Sequence, residues 1–348
     1  MRGQAERLGT AVYLPGAAIT ADDVRDADAL IVRTRTRCDE ALLKGSRVKF
    51  IATATIGFDH IDTAWLAKNG IGWTNCPGCN AGSVAQYVES ALLLLARAGR
   101  IRLDAATTLA IVGVGHVGTQ VALMANRLGL NLLLCDPLRL QGCGGVEEGS
   151  AAAGGIADAV CCATLDDVCR QADIITFHTP LTRQGLHATY HLASADFFSR
   201  LQRRPVVINS SRGEVVDTSA LLDALRGGIV REAVVDTWEN EPNISRELLD
   251  RAFLATPHIA GYSADGKANG TRMSLEAVAR FFGVDCLFDV EAPAVPPTFR
   301  YYPEAPDDAA ANPSLALYDP RRDSDALKAD PAAFERLRGN YPLRREHF

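Results

Sequence analysis

The stretch from residue 109 to residue 136, LAIVGVGHVGTQVALMANRLGLNLLLCD, constrains the fold of this chain more than any other. Residues 109–113 are a short apolar run with β-branched members ending in glycine, the pattern of a buried parallel strand entering a tight turn. In the turn Gly113-Val114-Gly115-His116-Val117-Gly118 each glycine has a separate task. Gly113 permits the sharp turn, Gly115 lets backbone amides approach a pyrophosphate, and Gly118 lets the following helix pack closely on the strand. The anion would then sit on the helix N-terminus. The spacing predicts a helix over 117–128 closed by Gly129, a second strand over 131–135, and Asp136 at its end. A carboxylate there accepts from both ribose hydroxyls and repels a 2′-phosphate, which predicts NAD rather than NADP. Three glycines at this spacing are a weak signal alone, but strand, turn, helix, strand and acid in succession specify a dinucleotide-binding βαβ unit.

A chain of 348 residues has room for two such domains, each with its own core. A net charge of −6 argues against nucleic acid as partner, because neutralising phosphates needs a basic face, so small metabolites are the expected partners. No apolar run reaches bilayer length and the start MRGQAERLG lacks the apolar core of a signal peptide, so a cytoplasmic protein without a membrane segment is expected. The nine cysteines form an odd set within apolar or small-residue segments, as reduced cysteines do. Cys76-Pro-Gly-Cys79 is a lone CxxC with no second pair and no histidine cluster beside it, so a packing role is expected and no metal site.

The chain order is a βα alternation, hence parallel sheets with helices on their faces. A helical stretch over 2–8 opens the chain, followed by strand-like runs at 11–14, 29–33, 50–55 and 70–75 with helical stretches at 21–26, 39–44 and 63–68. From Ser83 the spacing is helical, with Val84, Val88, Leu92 and Leu95 on one face. Further strands are expected at 174–177, 206–209 and 233–236, a glycine-, alanine- and cysteine-rich surface insertion at 142–163, and returning helices at 248–253 and 267–282. Prolines after Cys286 mark a linker, and a charged tail with helical spacing over 326–338 follows. The arginines Arg321, Arg322, Arg344 and Arg345 are expected on a salt-bridged or subunit-contact surface. Because the opening helix has no strand feeding it, the natural product is expected to start upstream, with an apolar strand of about five or six residues, and the tail to lack a final element.

Three polar motifs stand where strands should end: Asn209-Ser210-Ser211-Arg212-Gly213, Asp236-Thr237-Trp238-Glu239-Asn240-Glu241-Pro242, and Thr256-Pro257-His258-Ile259-Ala260-Gly261-Tyr262. In an open parallel sheet the C-terminal strand ends line the ligand crevice. Hydride transfer from a 2-hydroxy acid needs a cation to clamp the carboxylate and polarise the carbonyl oxygen, and Arg212 fits with its fork geometry. It needs a base for the hydroxyl proton, for which His258 is suited near neutral pH. A carboxylate beside the imidazole orients it and favours its protonated form, and Glu241 is the candidate. His178 in FHTPLT is a rival imidazole, placed nearer the cofactor, and Thr179 beside it is the expected nicotinamide contact. In IVRTRTRC, alternation along an extended segment would put Arg33, Arg35 and Arg37 on one face as an anion site.

The ordered motifs GVGHVG, CDP, FHTPLT, NSSRGEVVDT, VVDTWENEP and TPHIAGYS resemble the D-isomer-specific 2-hydroxyacid dehydrogenase family across nearly the whole chain. Within it, IVRTRTRC, TATIGFDHID, WTNCPGCNA, PHIAGYSADGKANGT and the tail with LRGNYPLRRE resemble the branch that oxidises 4-phospho-D-erythronate on a route to pyridoxal phosphate. The resemblance implies two Rossmann-like doubly wound parallel-sheet domains, a substrate or lid domain over 1–90 completed by 263–285 and an NAD-binding domain over 91–262, plus a small C-terminal α+β dimerisation domain over 286–348. It implies Arg212 and Glu241 as active-site residues, His258 as proton donor and acceptor, and a homodimer. It points to Asp136, Thr179, Asp236 and Gly261 at NAD, and to Thr34, Thr55 and Tyr262 at a small phosphorylated 2-hydroxy acid. Thr34 stands where the family often has serine, which keeps the hydroxyl, and the insertion near Gly142 is longer than the family's. Two alternatives stay open at this point: a dehydrogenase of the same family acting on phosphoglycerate or glycerate, and an NAD-sensing interaction protein on the same fold.

Overall fold

The structure, a computed structural model, describes residues 3–140, 163–294, 313–342 and 344–346. The chain divides into two compact units, 1–80 with 263–296, and 81–262 with 297–348.

In the first unit β1 (Ala29–Val32), β2 (Phe50–Thr53) and β3 (Gly72–Thr74) form a parallel sheet in that order. The central strand β2 is buried along its whole length, as a strand covered on both faces must be. One face packs Val32, Ile51, Leu43 and Leu66. The other is covered by the helix Ala264–Phe282, whose Phe281 stacks on Phe50 with ring centroids 4.5 Å apart. The connecting helices start at Asp39 and Asp62, whose carboxylates accept from the otherwise orphaned first-turn amides. Cys76 and Cys79 are both buried and unbridged, and the Cys76 thiol donates to the Gly270 carbonyl at 3.3 Å. The CPGC stretch is thus a packing element.

Two expectations about this unit are corrected. Residues 11–14 form no strand: they run into Pro15 and a 3-10 turn, pair with nothing in the sheet, and leave Val12 77% exposed. The opening helix is one 3-10 turn, Ala5–Arg7, between Gly3 and Gly9, both at positive φ, where glycine breaks helical continuation.

The second unit is built on a six-stranded parallel sheet in the order β5-β4-β6-β7-β8-β9. Its strands are β4 (Thr108–Val112), β5 (Asn131–Cys135), β6 (Ile174–Phe177), β7 (Val206–Asn209), β8 (Glu232–Val235) and β9 (Leu254–Ala255). Alternate residues feed opposite faces: Leu109 and Ile111 join Leu92, Leu95 and Val121 from the helices Ala81–Arg97 and His116–Arg127. Ala110 and Val112 join Phe197, Leu221 and Leu249 on the other side. This is a doubly wound sheet, and its strand order reverses between β4 and β6, the switch point at which such folds bind ligands.

Three helices from the tail, Pro313–Leu317, Arg321–Ala329 and Phe334–Gly339, pack on this unit, with Leu315 in one apolar core and Leu327 and Phe334 in the other. The single helix expected over 326–338 is two, because Pro331 opens a 3-10 turn between them and has no amide to continue a helical ladder. Arg321 pairs with Asp319, a carboxylate that is itself buried rather than on a salt-bridged surface, and Arg344 does not lie on the surface either. Its side chain is wholly buried, stacked 3.6 Å from the Tyr318 ring centroid, with Nε donating to Gln86 Oε1 at 2.8 Å and Nη1 reaching the Ile259 carbonyl at 3.4 Å. A guanidinium buried this deeply is tolerable because a π face and carbonyl oxygens replace its water. Residues 142–162 of the expected insertion lie outside the described residues.

Candidate active site

At the switch point the glycine turn takes the form its sequence implies. Gly113 has φ +91°, and a Cβ there would stand 2.7 Å from the His178 carbonyl oxygen just past β6. A Cβ on Gly118 would stand 2.1 Å from the Gly113 carbonyl oxygen, so any side chain would push the helix off the strand. Gly115 is different: a Cβ there meets nothing within 4 Å, so its side of the turn is open. Asp136 braces the turn, its carboxylate accepting from the Val114 amide at 2.9 Å and the Leu138 amide at 3.1 Å.

Beyond the turn, three shielded hydroxyls, Thr179 Oγ1, Ser210 Oγ and Thr237 Oγ1, lack a hydrogen-bond partner among the described residues. They stand just past β6, β7 and β8 respectively. A buried hydroxyl without a partner is uncommon and costly, so three at successive strand ends fit a polar ligand laid across the sheet. With the open glycine turn and Asp136, this donor set fits a dinucleotide. Ser210 and Thr237 were not singled out from the sequence; their position immediately after apolar strands was the available signal. Replacing Asp136 by alanine should weaken NAD binding and relax discrimination against NADP, since ribose acceptor and repulsive charge go together. Titrating both cofactors checks this, and equal use of NAD and NADP by the unaltered protein would refute it.

The Arg212 loop is shaped by Asn209, a buried side chain at the end of β7. Its Oδ1 accepts from the Ser211 hydroxyl at 2.9 Å and amide at 3.2 Å, and its Nδ2 donates to the Arg212 carbonyl at 2.9 Å. Gly213 then lies directly on the next loop: a Cβ there would fall 1.9 Å from the Trp238 carbonyl carbon. The backbone contact sets the spacing between the segment carrying Arg212 and the one leading to Glu241. Arg212 itself is half-buried.

Glu241 and His258 form a direct pair, with His258 Nδ1 2.8 Å from Oε2 and 3.1 Å from Oε1. The Trp238 amide donates to Oε1 at 2.9 Å. Burial pushes the Glu241 carboxyl up, but His258, the Trp238 amide and the Arg338 guanidinium outweigh it and hold the group below the usual carboxylate range. His258 sits at φ +56°, a sparsely populated conformation that costs about 1–3 kcal/mol unless its surroundings enforce it.

Asp236 enforces it. Its backbone oxygen accepts the His258 amide at 2.8 Å, and its carboxylate takes the Ile259 amide at 2.8 Å, the Ala260 amide at 2.9 Å and the Thr256 hydroxyl at 2.6 Å. With its own hydrogen directed at Asp236, the Thr256 hydroxyl accepts from Tyr87 at 2.8 Å. Asp236, which the resemblance places at NAD, therefore has both carboxylate oxygens in the histidine turn. Burial raises its pKa from the ordinary carboxylate value.

His178 lacks such support. Its Nε2 lies 2.9 Å from Thr176 Oγ1, its Nδ1 has no partner among the described residues, and burial lowers its pKa to about 3. It is neutral at physiological pH and unsuited to cycling a proton there.

The other expected site residues are placed as follows. Thr34 is exposed in a turn after β1, closed by the Thr36 amide on the Arg33 carbonyl at 3.1 Å. The turn replaces the extended segment expected for IVRTRTRC, so Arg33, Arg35 and Arg37 are exposed without forming one strand face, and Arg37 pairs with Asp39 at 2.7 Å. Alternation fails because β1 ends at Val32. The Thr55 hydroxyl donates to the Gly57 carbonyl at 2.9 Å and lies 2.7 Å from Thr53 Oγ1. Half-buried Tyr262, next to Gly261, packs edge-on against Tyr341 with centroids 5.9 Å apart. No group of three or more His, Cys, Asp or Glu side chains among the described residues could hold a metal ion, and none of the described helices is long and apolar enough to cross a membrane.

A doubly wound dinucleotide unit whose successive strand ends carry an arginine and a glutamate–histidine pair is the arrangement of a D-2-hydroxyacid dehydrogenase. Residues 96–260 match the family model of the D-isomer specific 2-hydroxyacid dehydrogenase NAD binding domain, and NAD is the cofactor. The NAD+-bound 3-phosphoglycerate dehydrogenase of Entamoeba histolytica shares the fold, with a TM-score of 0.61 at 22% identity over 79% of this chain and 88% of that one. The erythronate-4-phosphate dehydrogenase of Bacteroides fragilis is 52% identical over 335 residues, 96% of this chain and 90% of the relative. That of Bacteroides thetaiotaomicron is 50% identical over 97% of this chain and 91% of the relative. The chain belongs to the erythronate-4-phosphate dehydrogenase family.

Proposed function

We propose that this chain oxidises 4-phospho-D-erythronate to (R)-3-hydroxy-2-oxo-4-phosphooxybutanoate with NAD, a step in the making of pyridoxal phosphate. Membership of the family supports the substrate, and the His258–Glu241 pair at 2.8 Å carries the chemistry. With Nδ1 committed to Glu241, the imidazole presents Nε2 to the substrate hydroxyl and takes its proton. Glu241 stabilises the imidazolium that forms and fixes which nitrogen faces the substrate. Arg212 clamps the substrate carboxylate and draws electron density toward the oxygen that becomes a carbonyl. The glycine turn, Asp136, Thr179, Gly261 and, through the histidine turn that it braces, Asp236 would hold NAD, which would supply the hydride acceptor. Thr34, Thr55 and Tyr262 are the substrate contacts in this reading.

The test is NADH formation with 4-phospho-D-erythronate beside 3-phosphoglycerate and D-glycerate. A kcat/KM for the first at least about tenfold above the others supports the reading, a difference of about 1.4 kcal/mol in transition-state binding. Equal or greater turnover of phosphoglycerate overturns it. We also assign the exposed Arg33 and Arg35 to the substrate phosphate. Reversing charge with Arg35→Glu should raise the KM for the phosphorylated substrate about tenfold or more, the scale of one lost charge-assisted contact. An unchanged KM would make these arginines solvated surface. The chain is further read as a cytoplasmic homodimer, which sedimentation of the purified protein tests for the oligomeric part.

A further inference from the structure

The Glu241 carboxylate has a second cationic neighbour, supplied by the tail. Arg338, on the tail helix Phe334–Gly339, brings Nη1 to 3.7 Å from Glu241 Oε2, the same oxygen that lies 2.8 Å from His258 Nδ1. Its side chain is only 20% exposed, and its Nε is shielded without a partner among the described residues. Glu335, one turn earlier on the helix, stands 3.9 Å away and is itself mostly in water. Asp236, beneath the His258 turn, is a further charged group beside the pair.

We propose that Arg338 is a positioning residue of the acid–base pair: its guanidinium shares the Glu241 oxygen that faces His258 and limits how tightly that carboxylate holds the imidazole's proton. The physical reason is competition for one anion. A carboxylate between two cations attracts each less effectively than it would attract one alone, and the two cations repel each other across it. At a site shielded from water this competition is weakly screened. A histidine held too firmly in its protonated form is a poor base for oxidising a hydroxyl, so a tail arginine that loosens the grip keeps the pair ready to accept a proton. The tail thereby acts on the chemistry through Glu241 without touching the reacting atoms.

The proposal rests on the reading of His258 and Glu241 as the acid–base pair, and the test separates the two. kcat/KM is measured from pH 5.5 to 9.5 with saturating NAD for the unaltered protein, Arg338→Met, Arg338→Lys and Glu335→Gln, with thermal midpoints for each. In Arg338→Met the pair should retain its proton to higher pH, moving the acid limb upward by about half a unit to one unit, the scale of a nearby charge. Arg338→Lys, which keeps the charge, should leave the limb near its original place. Glu335→Gln removes the acid that competes for Arg338 and should move the limb the other way, by less. A limb that stays in place in Arg338→Met and Glu335→Gln, whatever happens to kcat or thermal midpoint, overturns the proposal. If the unaltered protein shows no acid limb, or His258→Asn keeps its activity, the reading of the pair itself fails instead. Should Arg338→Met not fold, Glu335→Gln decides alone.

Discussion

Replacing His258 by asparagine should lower turnover by about a hundredfold or more while NAD still binds, the usual scale for removing a general acid–base group. The side chain leaves the strand ends otherwise intact, because the turn is held by bonds from its backbone amide and its neighbours' amides to Asp236 rather than by the imidazole. Glu241→Gln should act in the same direction more mildly, since an amide in place of the carboxylate now 2.8 Å from the ring can still orient it but cannot stabilise its charge. Single-turnover rates and cofactor fluorescence separate the two readouts. If His178→Asn proves as damaging to turnover with cofactor affinity unchanged, the base has been misassigned.

Gly213→Ala should be nearly as damaging without touching a reacting group. A Cβ there would stand 1.9 Å from the Trp238 carbonyl carbon, 2.0 Å from its oxygen and 2.4 Å from the Glu239 amide nitrogen, all backbone atoms that no rotamer change can move. One loop has to shift by an ångström or more, and a displacement of that size at a catalytic group costs about a hundredfold in rate. Overpacking of this kind also removes about 1–3 kcal/mol of stability. Gly115→Ala is the matched comparison, since its Cβ meets nothing within 4 Å and the thermal midpoint should stay put. Full kcat/KM in Gly213→Ala would show that the spacing of these two loops does not place Arg212.

The parts of this architecture legible in the sequence are those written locally. β4, the glycine turn, its helix, β5 and Asp136 are contiguous, and each residue type answers a local steric or electrostatic demand, so their order could be read directly. The loops bearing Arg212, Glu241 and His258 were legible because each follows a short apolar strand that ends in polar residues. What could not be read depends on distant partners. Asp236 bonds to residues 20 to 24 positions away, and its task as the brace of the histidine turn appears only once β8 and β9 lie side by side. Residues 11–14 have the composition of a strand but join neither sheet among the described residues, and pairing is a property of the sheet rather than the segment. Arg338 and Arg344 stand six residues apart in a charged tail, yet Arg344 is wholly buried and Arg338 sits against Glu241, a distinction set by distant partners.

The seat of Arg344 has a consequence for when during synthesis this enzyme becomes complete. Its guanidinium reaches the carbonyl of Ile259, the residue after His258, across 85 positions of chain. At about 5–20 residues added per second, the histidine loop emerges several seconds before the arginine that underpins it. During that interval Gln86 and the Ile259 carbonyl, already made, still lack their buried cation. A nascent chain with its glycine turn and His258 in place is thus still unfinished beside the histidine turn, and a ribosome that stalls between these residues leaves a product with that turn but without the buried cation behind it.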